Sequence, residues 1–467
     1  MTFLPTKTPR RGALRILALT ATLTALAGTV RAQEAPPRKM ALEDARAYAR
    51  THQLRLLAAR QRILAAEREA EVPGTQWLPR VGAMAQIVGS TANNSTTTLL
   101  GSSAVDLPRI GATKVESNAD WQPYPSTAVA LGVRQELFDF GRIAAERSAA
   151  VLVAEVEKLR AVNAVLDVDF GVEQSFFAVL AAVAIEDASR GAFDRAAQHR
   201  DLARANVQTG MRPPIELTRA EADVARYEAG LMRARASVHV ARSVFAVAVG
   251  VVDVELDAAG AAGERSPLPP LASVLSVAAR SPTVLEARAR IEAQRGETLR
   301  LEVQTRPNLT ATAEISGRAG GAPPSGGPLP AGDGWLPSVP NYSAGAVLTW
   351  PLFEPFWGRR ADASRAREQA LAYEADQTLQ NQRAVISAAY QEAVATVQAL
   401  GALQRGADAA RANYDQADNR FRVGIGTSTE LADAQALRTE ADIQLAIGQF
   451  QVARTRAGLD RAIAEAR

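Results

Sequence analysis

The chain has 467 residues, of which 47% are hydrophobic, 22% are charged and only 5% are aromatic. Its 53 basic and 50 acidic residues leave a net charge of +3, and because the two signs alternate along helical patterns they form no basic footprint for nucleic acid. Cysteine is absent, which excludes disulfides, thiolate nucleophiles and cysteine-ligated metals.

Residues 1–32 have the pattern of a secretory signal peptide. Four basic residues between positions 7 and 15 precede an apolar stretch from Ile16 to Val30, and the end of this stretch at Ala32 fits a small-residue cleavage site. A membrane anchor is the alternative, but the stretch is short for a spanning helix. No later segment is continuously apolar over about 18 residues, so we expect an exported chain without transmembrane helices.

Two long, alanine-rich helical patterns begin and end in the same way. A Leu-Phe-acidic triplet followed within a few residues by Gly-Arg opens one pattern at 137–142 and the other at 352–359. The first runs to Gly210 and the second to Gly424, and after each glycine a Glu-Leu pair leads into a shorter helical pattern. The sequence therefore predicts two long helical hairpins: 142–250 and 359–466.

Between the helical patterns lie segments in which apolar and polar residues alternate. Leu309, Ala311, Ala313 and Ile315, for example, are separated by single polar residues, as in a strand that faces two environments. The alternation predicts four strands: 78–90, 127–139, 307–317 and 341–353. Their length of about ten residues suits a transmembrane β-strand, although an ordinary exposed antiparallel sheet alternates in the same way. Four strands cannot close a barrel, so in a membrane the strands of several chains must form one shared barrel.

These elements fall into a duplicated order of helix, two strands and helical hairpin. The first repeat covers 33–265 and the second 266–467, and Gly/Pro-rich loops between the strands absorb their difference in length. The shorter helices of each repeat together match the long one, which predicts two short helices end to end beside each long helix. We therefore predict a mainly α fold with a small β part.

The duplicated layout, the two openings and the tip sequence from Arg422 to Leu431 resemble the TolC family of outer membrane efflux proteins, over about 40–466. The resemblance implies a homotrimer, with an α-helical tunnel in the periplasm and a shared transmembrane β-barrel of twelve strands, four per chain, in the cell outer membrane. It also implies three partners: outer membrane lipid, a periplasmic adaptor protein and an inner-membrane efflux pump. The implied function is the exit duct of a tripartite system that exports small molecules.

The resemblance extends to acidic residues at the periplasmic entrance. Family members place carboxylates six and nine positions after the glycine of the second tip, here Glu430 and Asp433, and another in the first tip, here Glu216. Such carboxylates narrow the entrance and attract cations. The alternative is that Glu430 caps the helix that begins there and that Asp433 interacts with its positive end.

The hairpin tips correspond to the family's adaptor contacts, with a plain turn as the alternative. The residues concerned are Gly210, Met211, Gly424, Ile425, Gly426 and Thr427. The family's closed tip is locked by a tyrosine and an arginine at the positions of Phe421 and Gly426, which cannot make the same bonds. We hypothesise that Arg212 or Arg422 pairs with Glu216 instead.

No pattern of a catalytic, metal or cofactor site is found. His52, His199 and His239 fall on separate helical patterns without ligand spacing, and we expect each to be partly exposed. A nucleophile elbow and a phosphate-binding loop are absent from the sequence. We therefore predict no enzyme activity, cofactor or metal. Two alternatives to the efflux duct stay open: the outer membrane component of a type I protein secretion system, and a periplasmic coiled-coil adaptor protein.

Overall fold

The computed structural model describes residues 38–91, 123–260, 267–320 and 339–465, so the predicted signal peptide lies outside the described residues. In chain order the elements are β1 (Lys39–Met40), α1 (Leu42–His52), α2 (Leu54–Glu71), β2 (Arg80–Thr91), β3 (Pro123–Phe138), α3 (Arg142–Gln208), α4 (Ile215–Val249), β4 (Asp257–Ala258), α5 (Leu271–Ser276), α6 (Pro282–Glu302), β5 (Asn308–Gly320), β6 (Val339–Thr349), α7 (Pro355–Arg422) and α8 (Ser428–Ala462). β1 and β4 form a small parallel pair.

The four longer strands form one antiparallel sheet in the order β2-β3-β5-β6. The central pairing of β3 with β5 joins the two repeats, with Leu131 opposite Ile315 and Val133 opposite Ala313. β2 and β6 lie at the edges, so within the described chain one side of each has backbone groups without a strand partner.

One face of this sheet is apolar and exposed. Val81, Val133, Ala313 and Ala344 form one row across all four strands. In the next row Tyr342 is 88% exposed. The opposite face of the sheet carries charged residues such as Arg134 and Glu314. The predicted alternation is therefore confirmed, and with it the mainly α fold class with a small sheet.

Three of the strand and helix bounds that differ from the predicted ones lie at or beside a proline. β6 ends at Thr349 instead of 353, because Pro351 has no N–H to donate to the ladder. α7 begins at Pro355, four residues before the predicted start, since proline is favourable in the first helical turn. β3 begins at Pro123, earlier than the predicted residue 127.

α3 lies at the centre of the helical part, where α2, α4, α6 and α8 pack against it, and α7 packs against α6 and α8. The first helical segment of the chain is broken at Gln53, whose ψ of 121° is extended, and forms the two helices α1 and α2. The Gln53 side chain donates hydrogen bonds from Nε2 to the carbonyls of Val247 (3.1 Å) and Ala248 (3.0 Å) at the end of α4. The break at Gln53 therefore lies against the end of α4, where the Gln53 side chain satisfies the last carbonyls of that helix.

The largest core cluster surrounds the middle of α3. Phe176 packs edge-to-face on Phe245 of α4, with ring centroids 5.8 Å apart, and Val172 and Leu256 are fully buried beside them. α3 is long and apolar enough to pass a composition test for a membrane span, with a window of mean hydropathy 1.6. From 161 to 186, however, none of its residues is exposed, so other helices of the same chain surround this stretch.

The junction between β3 and α3 is held by a buried carboxylate. Asp139 is 5% exposed and accepts hydrogen bonds from the backbone N–H groups of Gly141 (3.0 Å) and Ile143 (2.5 Å). These bonds satisfy donors that the first turn of a helix leaves without partners. At the matching position of the second repeat, Glu354 makes no capping bond, and Pro355 starts the helix instead.

We expect Asp139→Ala to lower the free energy of unfolding by about 1–2 kcal/mol, because two buried N–H groups lose their acceptor. The measurement is the temperature at which the purified protein loses its helical circular dichroism signal. Glu354→Ala is the matched control and is expected to change this temperature little. Equal shifts in the two variants would contradict the capping role.

Candidate functional site at the hairpin tips

The first tip is a tight turn between α3 and α4. Gly210 has φ of 76°, and the N–H of Met211 donates to the carbonyl of Asn206 at 2.9 Å, which closes the end of α3. Pro213 and the N-cap residue Pro214 directly precede α4, where a missing N–H costs nothing. Met211 is 68% exposed at the end of this turn.

The second tip has the same design with a closer backbone approach. Gly424 has φ of 84°, and the N–H of Ile425 donates to the carbonyl of Arg420 at 3.0 Å. A Cβ on Gly426 would lie 2.8 Å from the Phe421 nitrogen, so only glycine fits there without a shift. Thr427 Oγ1 then caps α8 by accepting from the N–H of Glu430 at 3.1 Å.

Arg212 connects the two tips within one chain. Its Nη2 donates to the carbonyl of Gly426 at 3.0 Å, and its guanidinium lies 5.3 Å from the centre of the Phe421 ring. Its Nη1 lies 3.4 Å from Oε1 of Glu216. One partly buried cation therefore touches a carboxylate of the first hairpin, and a carbonyl and a ring of the second.

Phe421 is the buried anchor beneath the second tip. It is 3% exposed and belongs to a small cluster with Ala417, Leu431 and Ala434. The ring of His199 from α3 packs edge-to-face on Phe421, with centroids 5.0 Å apart. Phe421 thus lies between His199 and Arg212, both of which come from the first hairpin.

The sequence matches the profile of the outer membrane efflux protein family over residues 46–251 and 275–465. The chain belongs to this family. Each matched segment falls within one of the two predicted repeats, and the resemblance drawn from the sequence is confirmed. As an outer membrane efflux protein it belongs to a family of outer membrane channels and not of enzymes.

Solved channels share the fold of this efflux protein at low sequence identity. VceC from Vibrio cholerae is 17% identical with a TM-score of 0.69, covering 91% of this chain and 96% of its own. The CmeC outer membrane channel of Campylobacter jejuni is 13% identical with a TM-score of 0.70, covering 90% and 85%. The open state of the Neisseria gonorrhoeae MtrE channel is 17% identical with a TM-score of 0.68, covering 91% and 89%. A comparison with curated proteins finds no match.

The three carboxylates predicted to lie at the entrance have different environments. Glu430 is half exposed and its Oε1 lies 3.1 Å from Nε of Arg420. Asp433 is exposed one helical turn further along α8. Glu216 is mostly buried, and its Oε2 has no hydrogen-bond partner in the described part of the chain. Glu430 therefore lies in the first turn of α8, as expected, and also forms an ion pair with Arg420, which was not predicted.

Of the two arginines considered for the lock, the structure brings only Arg212 to Glu216. Nε of Arg422 lies 2.8 Å from Oδ2 of Asp418, one turn earlier on its own helix. The spacing of Asp418 and Arg422, four apart on α7, was the signal that predicts this local pair.

His199 also departs from expectation, because it is 9% exposed instead of partly exposed on a helix surface. His239 is exposed beside Glu255, with Nδ1 3.1 Å from the carboxylate, and His52 stacks on Tyr48. Among the residues that the structure describes, no group of acidic and histidine side chains has the geometry of a metal site.

Proposed function

We propose that three copies of this chain form an exit duct that exports small molecules together with a periplasmic adaptor and an inner-membrane pump. The observation that carries the proposal is the four-stranded sheet with an exposed apolar face and two unpaired edges. In lipid each unpaired backbone group costs several kcal/mol, so each edge strand needs a strand of another copy as its hydrogen-bonding partner. Three sheets joined β6 to β2 give a closed barrel of about twelve strands.

The helical flanks support the same head-to-tail joining of copies. α2 leads into the edge strand β2, and α4 on the same flank exposes an apolar stripe of Val240, Val244 and Val247. α7 follows the other edge strand, β6, and exposes Tyr373, Val385 and Val397. Two different flanks that meet head to tail form a closed ring when the rotation between copies closes, as the proposed barrel requires.

The tips supply the entrance and the adaptor contact in this proposal. Glu430 and Asp433 are exposed on the first turns of α8, and three copies would set six carboxylates around the axis, which favours cations. Ile425 is 70% exposed beside the closely turned Gly426, so another helical hairpin can approach the tip backbone. Arg212, with Phe421 and Glu216, supplies the lock.

Two other functions compete with the efflux duct: a periplasmic adaptor, which the sheet argues against, and a type I secretion channel, which differs in its cargo. A periplasmic adaptor would expose this apolar sheet face to water, whereas an outer membrane channel places it against lipid. The sheet therefore favours the channel. A type I secretion channel shares the architecture, and only the cargo distinguishes it. The test is therefore made in a strain that lacks its own efflux channel: restored drug resistance supports the proposal, and restored export of a secreted protein without drug resistance supports the alternative.

The joining of copies can be tested because the chain has no native cysteine. Ala83→Cys on β2 is combined in turn with Ala344→Cys and Ala346→Cys on β6, and membranes are oxidised. We expect covalent trimers in at least one combination, and no cross-link when Ala83→Cys is combined with Ala313→Cys on the inner strand β5. A protein that stays monomeric and is released from membranes by salt would contradict the proposal.

A further inference from the structure

His199 is a buried titratable group that the proposed lock does not use. It lies on α3, eleven positions before Gly210, in the contact between the two hairpins. Its Nε2 is buried and makes no hydrogen bond with the described residues. A neutral imidazole tolerates this position, whereas an imidazolium there would be a buried cation in need of an acceptor.

Three carboxylates from two other helices influence the imidazole. Glu216 and Asp223 on α4 and Asp418 on α7 all act on it electrostatically. Each of them already has an arginine within 3.4 Å: Arg212 for Glu216, Arg226 for Asp223 and Arg422 for Asp418. Burial lowers the pKa of His199, and the three carboxylates oppose that effect without cancelling it.

Glu216 is a mostly buried carboxylate that acts electrostatically on His199. Its Oε1 faces Arg212, and its Oε2 is buried with no partner in the described chain. An imidazolium would attract this carboxylate and compete with Arg212 for it. Arg212 is the residue that holds the carbonyl of Gly426 at 3.0 Å and covers the Phe421 ring, so its release weakens the link between the tips.

We infer that His199 is an acid-sensitive latch: its protonation breaks the packing of the first hairpin on Phe421 and loosens the second tip. The direction follows from linkage, because a histidine that is neutral in the packed state binds fewer protons there than when it is released. The packing is complete above the unperturbed pKa of about 6.5 and is lost as the pH falls below it. The inference rests on the proposed function for its physiological meaning, since a loose tip matters only at a channel entrance.

The test uses a spin label on the full-length protein in detergent, at a single introduced cysteine, Val423→Cys. Val423 is 71% exposed at the second tip, and the chain has no other cysteine. We expect the label to become more mobile as the pH is lowered from 7.5 to 5.0, with a midpoint below about 6.5. His199→Phe keeps an aromatic ring against Phe421 but cannot be protonated, so the transition should be lost. The transition should also be lost in His199→Gln, which serves as the test if His199→Phe does not fold.

Matched controls come from the rest of the chain. There are three histidines, and His52→Gln and His239→Gln, far from the tips, should leave the transition in place. Glu216→Gln removes one of the three charges that favour the imidazolium and should move the midpoint to lower pH. A label whose mobility is constant between pH 7.5 and 5.0, or a transition that persists in both His199 variants, overturns the latch. If the transition is present but the protein never conducts in bilayers, the latch stands and the channel proposal fails.

Discussion

An Ala344→Arg variant is expected to be almost absent from the outer membrane as folded protein, whereas Ser343→Arg is expected to assemble. Ala344 lies midway along β6, in the row with Ala313, Val133 and Val81 on the exposed apolar face. An arginine on the lipid side of a barrel costs about 2–4 kcal/mol at the membrane midplane. In a trimer all three copies carry that cost.

The neighbouring serine provides the matched control because successive residues of a strand face opposite sides. Ser343 lies opposite Glu314 on the charged face, so an arginine there gains an ion-pair partner across the strands. The amounts of heat-modifiable protein in outer membrane fractions give the comparison. Equal assembly of the two variants would show that the apolar face does not contact lipid.

The sheet shows how far alternation alone predicts structure. Because the side-chain period of a strand is two, the pattern of Leu309, Ala311, Ala313 and Ile315 identified the apolar face without any knowledge of the partner strands. The duplication similarly identified both hairpins, since a Gly-centred break between two helical patterns is a local signal. The strand order β2-β3-β5-β6, which places the repeats side by side, is a property of pairing between distant segments.

Contacts between distant helices could not be predicted in this way. The break at Gln53 has no glycine or proline to mark it, and its reason is the end of α4, almost two hundred residues away in the chain. The burial of His199 depends on α7 lying beside α3 at Phe421. A helical period shows which face is apolar, but not which residue of another hairpin meets it.

The second tip contains both features that local sequence predicts and a contact that it does not predict. The glycines and the Thr427 cap follow from local turn chemistry, and the structure contains them as such. The ion pair of Arg420 with Glu430 joins residues ten apart across the turn, where the tightness of the turn decides the distance. The pair of Arg212 with Glu216 joins residues four apart in the first tip and is also local, although the sequence left the choice between Arg212 and Arg422 open. The contacts of Arg212 with Gly426 and Phe421 depend on the approach of the two tips.

Arg212→Ala is expected to open the tip, and Arg422→Ala is expected to leave it closed. Removing Arg212 takes away the bond to the Gly426 carbonyl and the cation over Phe421, and leaves the mostly buried Glu216 without its cation. A hydrogen bond from a charged donor contributes about 1.5–3 kcal/mol, so the ratio of closed to open tips should fall by a factor of about 10–100. In the described part of the chain Arg422 pairs with Asp418 of its own helix, so we expect its loss to remove no link between the hairpins.

Single-channel recording in planar bilayers separates the two variants. Arg212→Ala should show larger or longer openings than the parent protein, whereas Arg422→Ala should resemble the parent. Arg212→Lys is a further control, because lysine keeps the charge near Glu216 but cannot reproduce the planar fork that reaches both the carbonyl and the ring. If Arg212→Ala conducts no more than the parent, closure of the entrance depends on contacts between copies, and Arg212 only stabilises the tip of its own chain.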